Sequence, residues 1–396
     1  MLEHCLISTP CRVAPVEESR NRDTLAWART QTFENKPWTL KALADMSTAD
    51  VQAPQHPAGA IEAADEPVDP SEFDPVEWDR SSADSASLTS SVLDHEYENG
   101  RRFHRFRHGR YPMPNDETEQ DREDMKHTMF LELLDGDLFL APIGDDPQKI
   151  IDIGTGTGKW AIEVGDLYPG ASVLGIDLSP IQPSWAPPNV KFLVDDAEDE
   201  WLNGDDYDFV HFRAMAPLLR KLDMVLADAY NHMKPGAWIE FQELHGQIHC
   251  DDGTMADDDK LKEFYELVVE AFQNLGLDLH KARDLRPHLE AAGFKDIHCE
   301  IKKIPIGIWP KDPTQRVIGK YSRQAIEMAA PAFTGKPFEA MGISKVESQV
   351  WCATVKKDME DLSKHRYYNM FFWYAQKPKD APVRDDGAGS SGEDDA

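Results

Sequence analysis

Three glycines at alternate positions, flanked by two acids, carry the most specific chemistry in this chain. In Asp152-Ile153-Gly154-Thr155-Gly156-Thr157-Gly158 the glycines allow a sharp turn and close approach to a ligand, and present the N–H groups of a helix start to it. Asp177 ends the next apolar run, Val173-Leu174-Gly175-Ile176, where a carboxylate accepts both hydroxyls of a ribose. Spacing narrows the ligand. A dinucleotide fingerprint G-x-G-x-x-G needs glycine at 159, where Lys159 stands; a phosphate loop needs glycine at 153 and a hydroxyl residue at 160, where Ile153 and Trp160 stand. The ligand contains a ribose but fits neither of those two classes.

Other groups fall where ligands of open α/β sheets lie, at the carboxyl ends of strands. Asp195-Asp196-Ala197 follows a third strand, and Asp196 is placed to accept from an adenine amino group. Arg213 and Met215 follow the fourth strand, and Gln242, Glu243 and His245 the fifth; His245 and Glu243 are candidate general bases. His211, inside strand four, reads as a core histidine, and Trp185 or Phe212 as rings able to face a cation. A basic, aromatic segment holds Arg101, Arg102, Arg105, Arg107 and Arg110 among Phe103, His104, Phe106 and His108. Three functions compete for it: single-stranded nucleic acid, a metal held by His104 and His108, or a cover over the pocket whose arginines, Arg101 and Arg102 first, meet a ligand carboxylate. The third is preferred; salt bridges to the acidic surface are the plainer alternative.

The elements that position these groups can be read in order. A capped helix is expected over Asn115–Phe130, then strand Ile150–Ile153, a helix stopped by Tyr168-Pro169-Gly170, and strands at Val173–Ile176, Val190–Val194, Tyr207–Phe212 and Ala237–Phe241. Lys234-Pro235-Gly236 reads as a turn. Helices are expected at residues 222–233, 259–274, 282–292, 313–330 and 344–363, with strands at 296–304 and 368–374. A marginal helix is expected within residues 22–43. The fold class is α/β, with helices on both faces of a largely parallel sheet.

Composition sets limits on partners. The 396 residues carry a net charge of -30, which makes nucleic acid an unfavourable partner. Five cysteines without a C-x-x-C spacing fit a reducing compartment and indicate neither disulfides nor zinc. No signal peptide and no membrane-spanning apolar run is legible. The expectation is a cytoplasmic or nuclear protein. Residues 1–90 read as an acidic, Pro-rich disordered arm, 91–377 as the catalytic domain, and 378–396 as a disordered acidic tail.

The acid-x-G-x-G-x-G turn resembles motif I of class I S-adenosylmethionine (SAM) methyltransferases. Longer words resemble the LaeA-like branch of fungal methyltransferases over Tyr97–Gln376: Glu98-Asn99-Gly100-Arg101-Arg102-Phe103-His104, Tyr111-Pro112-Met113-Pro114-Asn115-Asp116-Glu117, Asp177-Leu178-Ser179-Pro180-Ile181-Gln182-Pro183-Ser184-Trp185 and Asp195-Asp196-Ala197-Glu198. The resemblance implies a Rossmann-like seven-stranded sheet with its last strand antiparallel, and SAM as cofactor. It places the cofactor against Asp152, Gly154, Thr155, Gly156, Gly158, Asp177, Leu178, Asp196 and Ala197. It implies a setting in fungal secondary metabolism. Two roles follow: an O- or N-methyltransferase acting on a small natural-product intermediate, or a nuclear regulator with a protein partner of the velvet type. An acceptor cavity is expected along Ile304–Trp309 and the late helices.

Overall fold

The computed structural model describes residues 59–64, 95–98 and 100–382. The expected helix within residues 22–43, most of the arm, the tail beyond 382, and Cys5 and Cys11 lie outside the described residues. Residues 62–64 of that arm contact the domain: the Glu62 carbonyl accepts from the Lys311 N–H at 2.7 Å, Ala63 bridges Pro310, and the Ala64 N–H donates to the Trp309 carbonyl at 2.9 Å.

A short antiparallel hairpin comes first, β1 (His95–Glu98) and β2 (Arg101–His104), turning at Gly100. Helix α1 (Glu117–Leu133) follows, its N-cap Asp116 accepting from the Glu119 N–H. The main sheet begins with β3 (Lys149–Ile153), then α2 (Lys159–Leu167), β4 (Ser172–Asp177), β5 (Val190–Val194) and β6 (Tyr207–Arg213). Helix α3 (Leu222–His232) leads into the long β7 (Met233–His249). Helices α4 (Lys260–Asn274) and α5 (Arg286–Ala292) precede β8 (Lys295–Pro305). Three further helices, α6 (Pro313–Phe333), α7 (Lys336–Ala340) and α8 (Lys345–Asp358), lead to β9 (Tyr367–Gln376).

The seven strands run in the order β5-β4-β3-β6-β7-β9-β8. All neighbours from β5 to β7 are parallel, and β9 runs antiparallel to both β7 and β8. The expected fold therefore holds, including the reversed last strand. Strand order reverses at β3, so a crevice opens between the carboxyl ends of β3 and β6. Central strands read as unbroken apolar runs because both their faces are covered: Ile150, Ile153, Phe209, Val210 and Phe212 have no exposed surface.

Local departures have local causes. Lys234-Pro235-Gly236 does not leave the sheet. Met233 already pairs with Tyr207, and the surplus residues are absorbed where the register slips before Phe209 meets Trp238, with Gly236 at φ 85°. The late helix starting at Pro313 runs to Phe333, past Pro331. Residues 344–363 give a shorter helix, opened by a capping box between Ser344 and Glu347.

Helices α1, α4, α6, α7 and α8 are not spread around the sheet. Met129 and Phe130 of α1, Phe264 and Phe272 of α4, Ile318 and Ile326 of α6, Phe338 and Val355 pack with Tyr368, Met370 and Phe372 of β9. They roof the carboxyl end of the sheet near the switch point.

Candidate functional site

The glycine turn is held from below. The Asp152 carboxylate accepts from Thr155 Oγ1 at 2.6 Å and meets His211 Nδ1 at 2.7 Å, while His211 stacks on Trp160 with centroids 3.6 Å apart. Asp152 is thus spent bracing the turn and does not line the cavity; His211 is the core histidine expected. The Gly154 and Thr155 N–H groups both donate to the Ile176 carbonyl at 2.9 Å. At Gly158, φ is +82° and an added Cβ would sit 2.6 Å from Phe192, so only glycine fits without displacement. Gly156 is different: nothing lies within 4 Å of its Cβ direction, and it faces the cavity.

Asp177 stands beside it. One carboxylate oxygen accepts from the Gly156 N–H at 2.9 Å and the other from the Ser179 N–H at 2.8 Å. Each oxygen keeps a lone pair for a ligand. Burial pushes its pKa up to about 6; the two backbone N–H groups oppose this, and the charges of Asp152 and Glu123 add to it. The run after Asp177 also locks the turn, because Gln182 Nε2 donates to the Gly156 carbonyl at 2.6 Å and to the Ser179 carbonyl at 3.0 Å.

A cavity of about 290 Å³ opens above these groups. Gly154, Gly156, Asp177, Leu178, Asp196 and Ala197 line one end. The other end is apolar: Tyr265, Val268 and Phe272 of α4, Ala325, Ile326, Ala329 and Phe333 of α6, and Tyr368. The expected lining by Ile304–Trp309 is not seen; those residues pack against α6, where the Gly307 N–H donates to the Gly319 carbonyl at 2.9 Å.

Between the two ends α1 turns a charged face inward. Glu119, Arg122, Glu123 and Lys126, at helical three- and four-residue spacing, all line the cavity. Arg122 bonds Glu119 at 3.1 Å and also reaches Glu123, and Lys126 bonds Glu123 at 2.9 Å. Arg213, at the end of β6, is held otherwise. Its guanidinium meets His127 Nδ1 at 3.1 Å and lies over the Phe130 ring at 5.4 Å, and among the described residues no carboxylate oxygen pairs with it.

Arg101 and Arg102 do not reach the cavity. Arg101 Nη2 donates to Asp116 at 2.9 Å, and Arg102 donates to Asn115 and Glu117, so both clasp the hairpin to the start of α1. The arginine of that segment which does line the site is Arg110, paired with Asp196 at 3.1 Å and with Glu198. Asp196 therefore already holds a cation. His104 and His108 part company: His104 is 2% exposed, while His108 turns outward to Glu98 at 3.0 Å. Trp185 is 78% exposed, and Phe212 is stacked on Phe241 inside the core; neither faces the cavity.

The two candidate bases both line the cavity, in different states. Glu243 Oε1 accepts from the Met215 and Ala216 N–H groups at 3.1 and 3.0 Å, and burial pushes its carboxyl up to about 8 against those bonds. It holds its proton at neutral pH. Burial, then the neighbouring His280 and His249 rings, push His245 down to about 3, so it stays neutral. Four buried polar atoms on cavity residues have neither a hydrogen-bond nor an ion-pair partner: Asn115 Nδ2, Glu119 Oε2, Glu243 Oε2 and His245 Nδ1. Such atoms are costly unless a bound molecule satisfies them.

Open carboxyl-end crevice, glycine turn, ribose-height acid and strand order together define a class I methyltransferase domain, and a methyltransferase-domain family model matches residues 125–299. Among curated proteins, the methyltransferase pytC of Aspergillus terreus is 38% identical over 309 residues, covering 76% of this chain and 95% of the relative. The secondary metabolism regulator LAE1 of Cochliobolus heterostrophus is 35% identical, covering 71% and 94%, and the protein-methionine methyltransferase laeA of Emericella nidulans is 32% identical, covering 77% and 83%. The chain belongs to the fungal LaeA-like family of class I, SAM-dependent methyltransferases.

The cavity fits that cofactor: an open glycine, a carboxylate with spare lone pairs and a guanidinium that no carboxylate among the described residues pairs with all line it. Sequence reasoning had not assigned the charged face of α1 or Arg110 to the cavity. The signal was there in the repeated charges at 119, 122, 123 and 126, which break the apolar stripe of an otherwise core-facing helix.

Proposed function

We propose that this protein methylates an oxygen or nitrogen on a small, largely apolar intermediate of fungal secondary metabolism. The observation that carries the reading is one continuous cavity, polar and ribose-competent at Gly156 and Asp177, apolar at α4 and α6. Asp177 accepts the ribose hydroxyls, the glycine turn at Gly154–Gly156 lies under the nucleoside, and Leu178, Asp196 and Ala197 bound the adenine. Arg213, in place of Arg101 and Arg102, takes the methionine carboxylate, because its charge has no carboxylate partner of its own. Bound SAM supplies an activated methyl group on a sulfonium. The chain's share is alignment: a fixed floor, a dry compartment and a fixed acceptor, worth up to about 7–11 kcal/mol of the barrier. His245 is the group that accepts a proton from the acceptor; protonated Glu243 orients it instead.

A second reading is favoured by the names of the relatives. LAE1 is a secondary metabolism regulator and laeA a protein-methionine methyltransferase, which would make the acceptor a side chain and the setting a nuclear protein assembly. The apolar compartment favours the small acceptor. No helix among the described residues is long and apolar enough to cross a membrane. Residues 91–377 carry the activity and the flanking segments do not.

Calorimetry decides the central point. SAM binds and NAD does not; binding of NAD in place of SAM removes the reading.

A further inference from the structure

One pair of rings joins the apolar compartment to the outside of the protein. His245 is 3% exposed and lines the cavity, with Nδ1 buried and without a partner. Its Nε2 lies 3.1 Å from Nδ1 of His280. His280 is half-buried on the loop after α4, fixed there by its own N–H donating to Asp278 at 2.9 Å. The Phe371 edge and the His249 ring hold the remaining sides of His245, at 5.8 and 6.2 Å.

We propose that His245 and His280 form a two-ring proton path from the acceptor to solvent, and that the acceptor is a hydroxyl on an aromatic ring. The proposal rests on the methyl-transfer reading above. The hydroxyl oxygen forms its bond to the methyl carbon as the carbon–sulfur bond breaks and that electron pair stays on sulfur. The hydroxyl proton passes to His245 Nδ1, the Nε2 proton of His245 passes to His280 Nδ1, and the Nε2 proton of His280 leaves to water. Water entering the emptied compartment resets the rings.

Geometry requires a path and not a store. His245 is enclosed by Phe371, His249 and His280, with Arg283 and Asp278 the charged groups acting on it, and burial first of all disfavours a charge on its ring. A proton taken at Nδ1 must therefore leave from Nε2 in the same event. So weak a base suits a phenol better than an alkyl alcohol, and Tyr265, Phe272 and Phe333 give the compartment aromatic walls.

Two measurements on the full chain test this. Long-range ¹H–¹⁵N spectra of histidine-labelled protein with S-adenosylhomocysteine should show His245 protonated at Nε2 and bare at Nδ1 from pH 5 to 8. A proton on Nδ1 with Nε2 bare overturns the path. With SAM and a panel of 1-naphthol, catechol and 4-nitrophenol, His280→Ala should lower kcat about 10- to 100-fold, leave KM for SAM unchanged, and recover with added imidazole. His280→Phe should lose as much and not recover. A variant with the wild-type rate and pH profile, or an unrescued loss in both variants, sinks the relay. Should the wild type bind SAM and turn over none of the three phenols, the aromatic-hydroxyl assignment is wrong. Failure to bind SAM at all would instead count against methyl transfer, a separate outcome read by calorimetry.

Discussion

The two ends of the cavity are built by different rules. At the cofactor end, contacts come from the backbone and from side chains of the single stretch Asp152–Gln182: the Gly156 and Ser179 N–H groups on Asp177, Gln182 on the Gly156 carbonyl, Thr155 on Asp152. At the acceptor end, single side chains from α4, α6 and β9 meet across long sequence distances, and almost none is polar. The first end tolerates little change, because its parts hold one another in place. The second can be resurfaced residue by residue without disturbing the strands. One chain can thus keep a fixed donor and vary its acceptor, which fits relatives named both as methyltransferase and as regulator.

The contrast is open to attack at several points. Asp177→Ala should cost most: two hydroxyl contacts to a charged oxygen, about 1.5–3 kcal/mol each, amount to a loss of roughly 10²- to 10⁴-fold in SAM affinity by calorimetry. Undiminished affinity would mean that the nucleoside does not sit there. Arg213→Met should weaken SAM about 10- to 100-fold, whereas Arg101→Ala should leave it unchanged, since Arg101 serves only the hairpin clasp. The reverse ranking would restore the arginine-rich segment as the carboxylate site. Ala329→Phe fills the apolar end; acceptor methylation should vanish with SAM affinity intact, and joint loss of both would show that the ends are not independent.

Smaller effects follow from protonation. Ribose recognition needs the Asp177 carboxylate, whose pKa lies near 6. SAM affinity should therefore be level above that pH and fall about tenfold per unit below it; a flat profile from pH 5 to 8 would contradict the assignment. Glu243 is raised from 4.5 to about 8, so the folded state keeps a proton that the unfolded chain releases. Stability then declines as pH rises from about 4.5 to 8 and is level above. Glu243→Gln should flatten that slope in thermal melts while leaving SAM affinity at pH 7 in place; a slope that persists would assign it to other groups.

The cofactor end was legible because its determinants are contiguous. Alternating glycines, an acid at a strand tip and the run Asp177–Gln182 announce themselves in one pass. The sheet was legible too, through apolar runs such as Tyr207–Phe212 and the aromatic closing strand. Other features were not, and the reasons are physical. Arg101 and Arg110 are indistinguishable by composition, and only their partners in the fold separate them: Asp116 at the start of α1 for the first, Asp196 and Glu198 beyond β5 for the second. Asp152 looks like a ligand until His211, from another strand, claims its oxygen. Cavity walls made by α4 and α6 depend on how an insertion folds back, which no local pattern in Lys260–Asn274 or Pro313–Phe333 records.

Strand β9 has a consequence for how the molecule is made. It lies between β7 and β8 and hydrogen-bonds to both. Until residues 367–376 leave the ribosome, two long strand edges face the cytosol with nothing between them, inviting adhesion to other nascent chains. The interval before β9 is made is thus the moment of greatest exposure to chaperones, and a chain cut short before Tyr367 would be sticky rather than merely inactive.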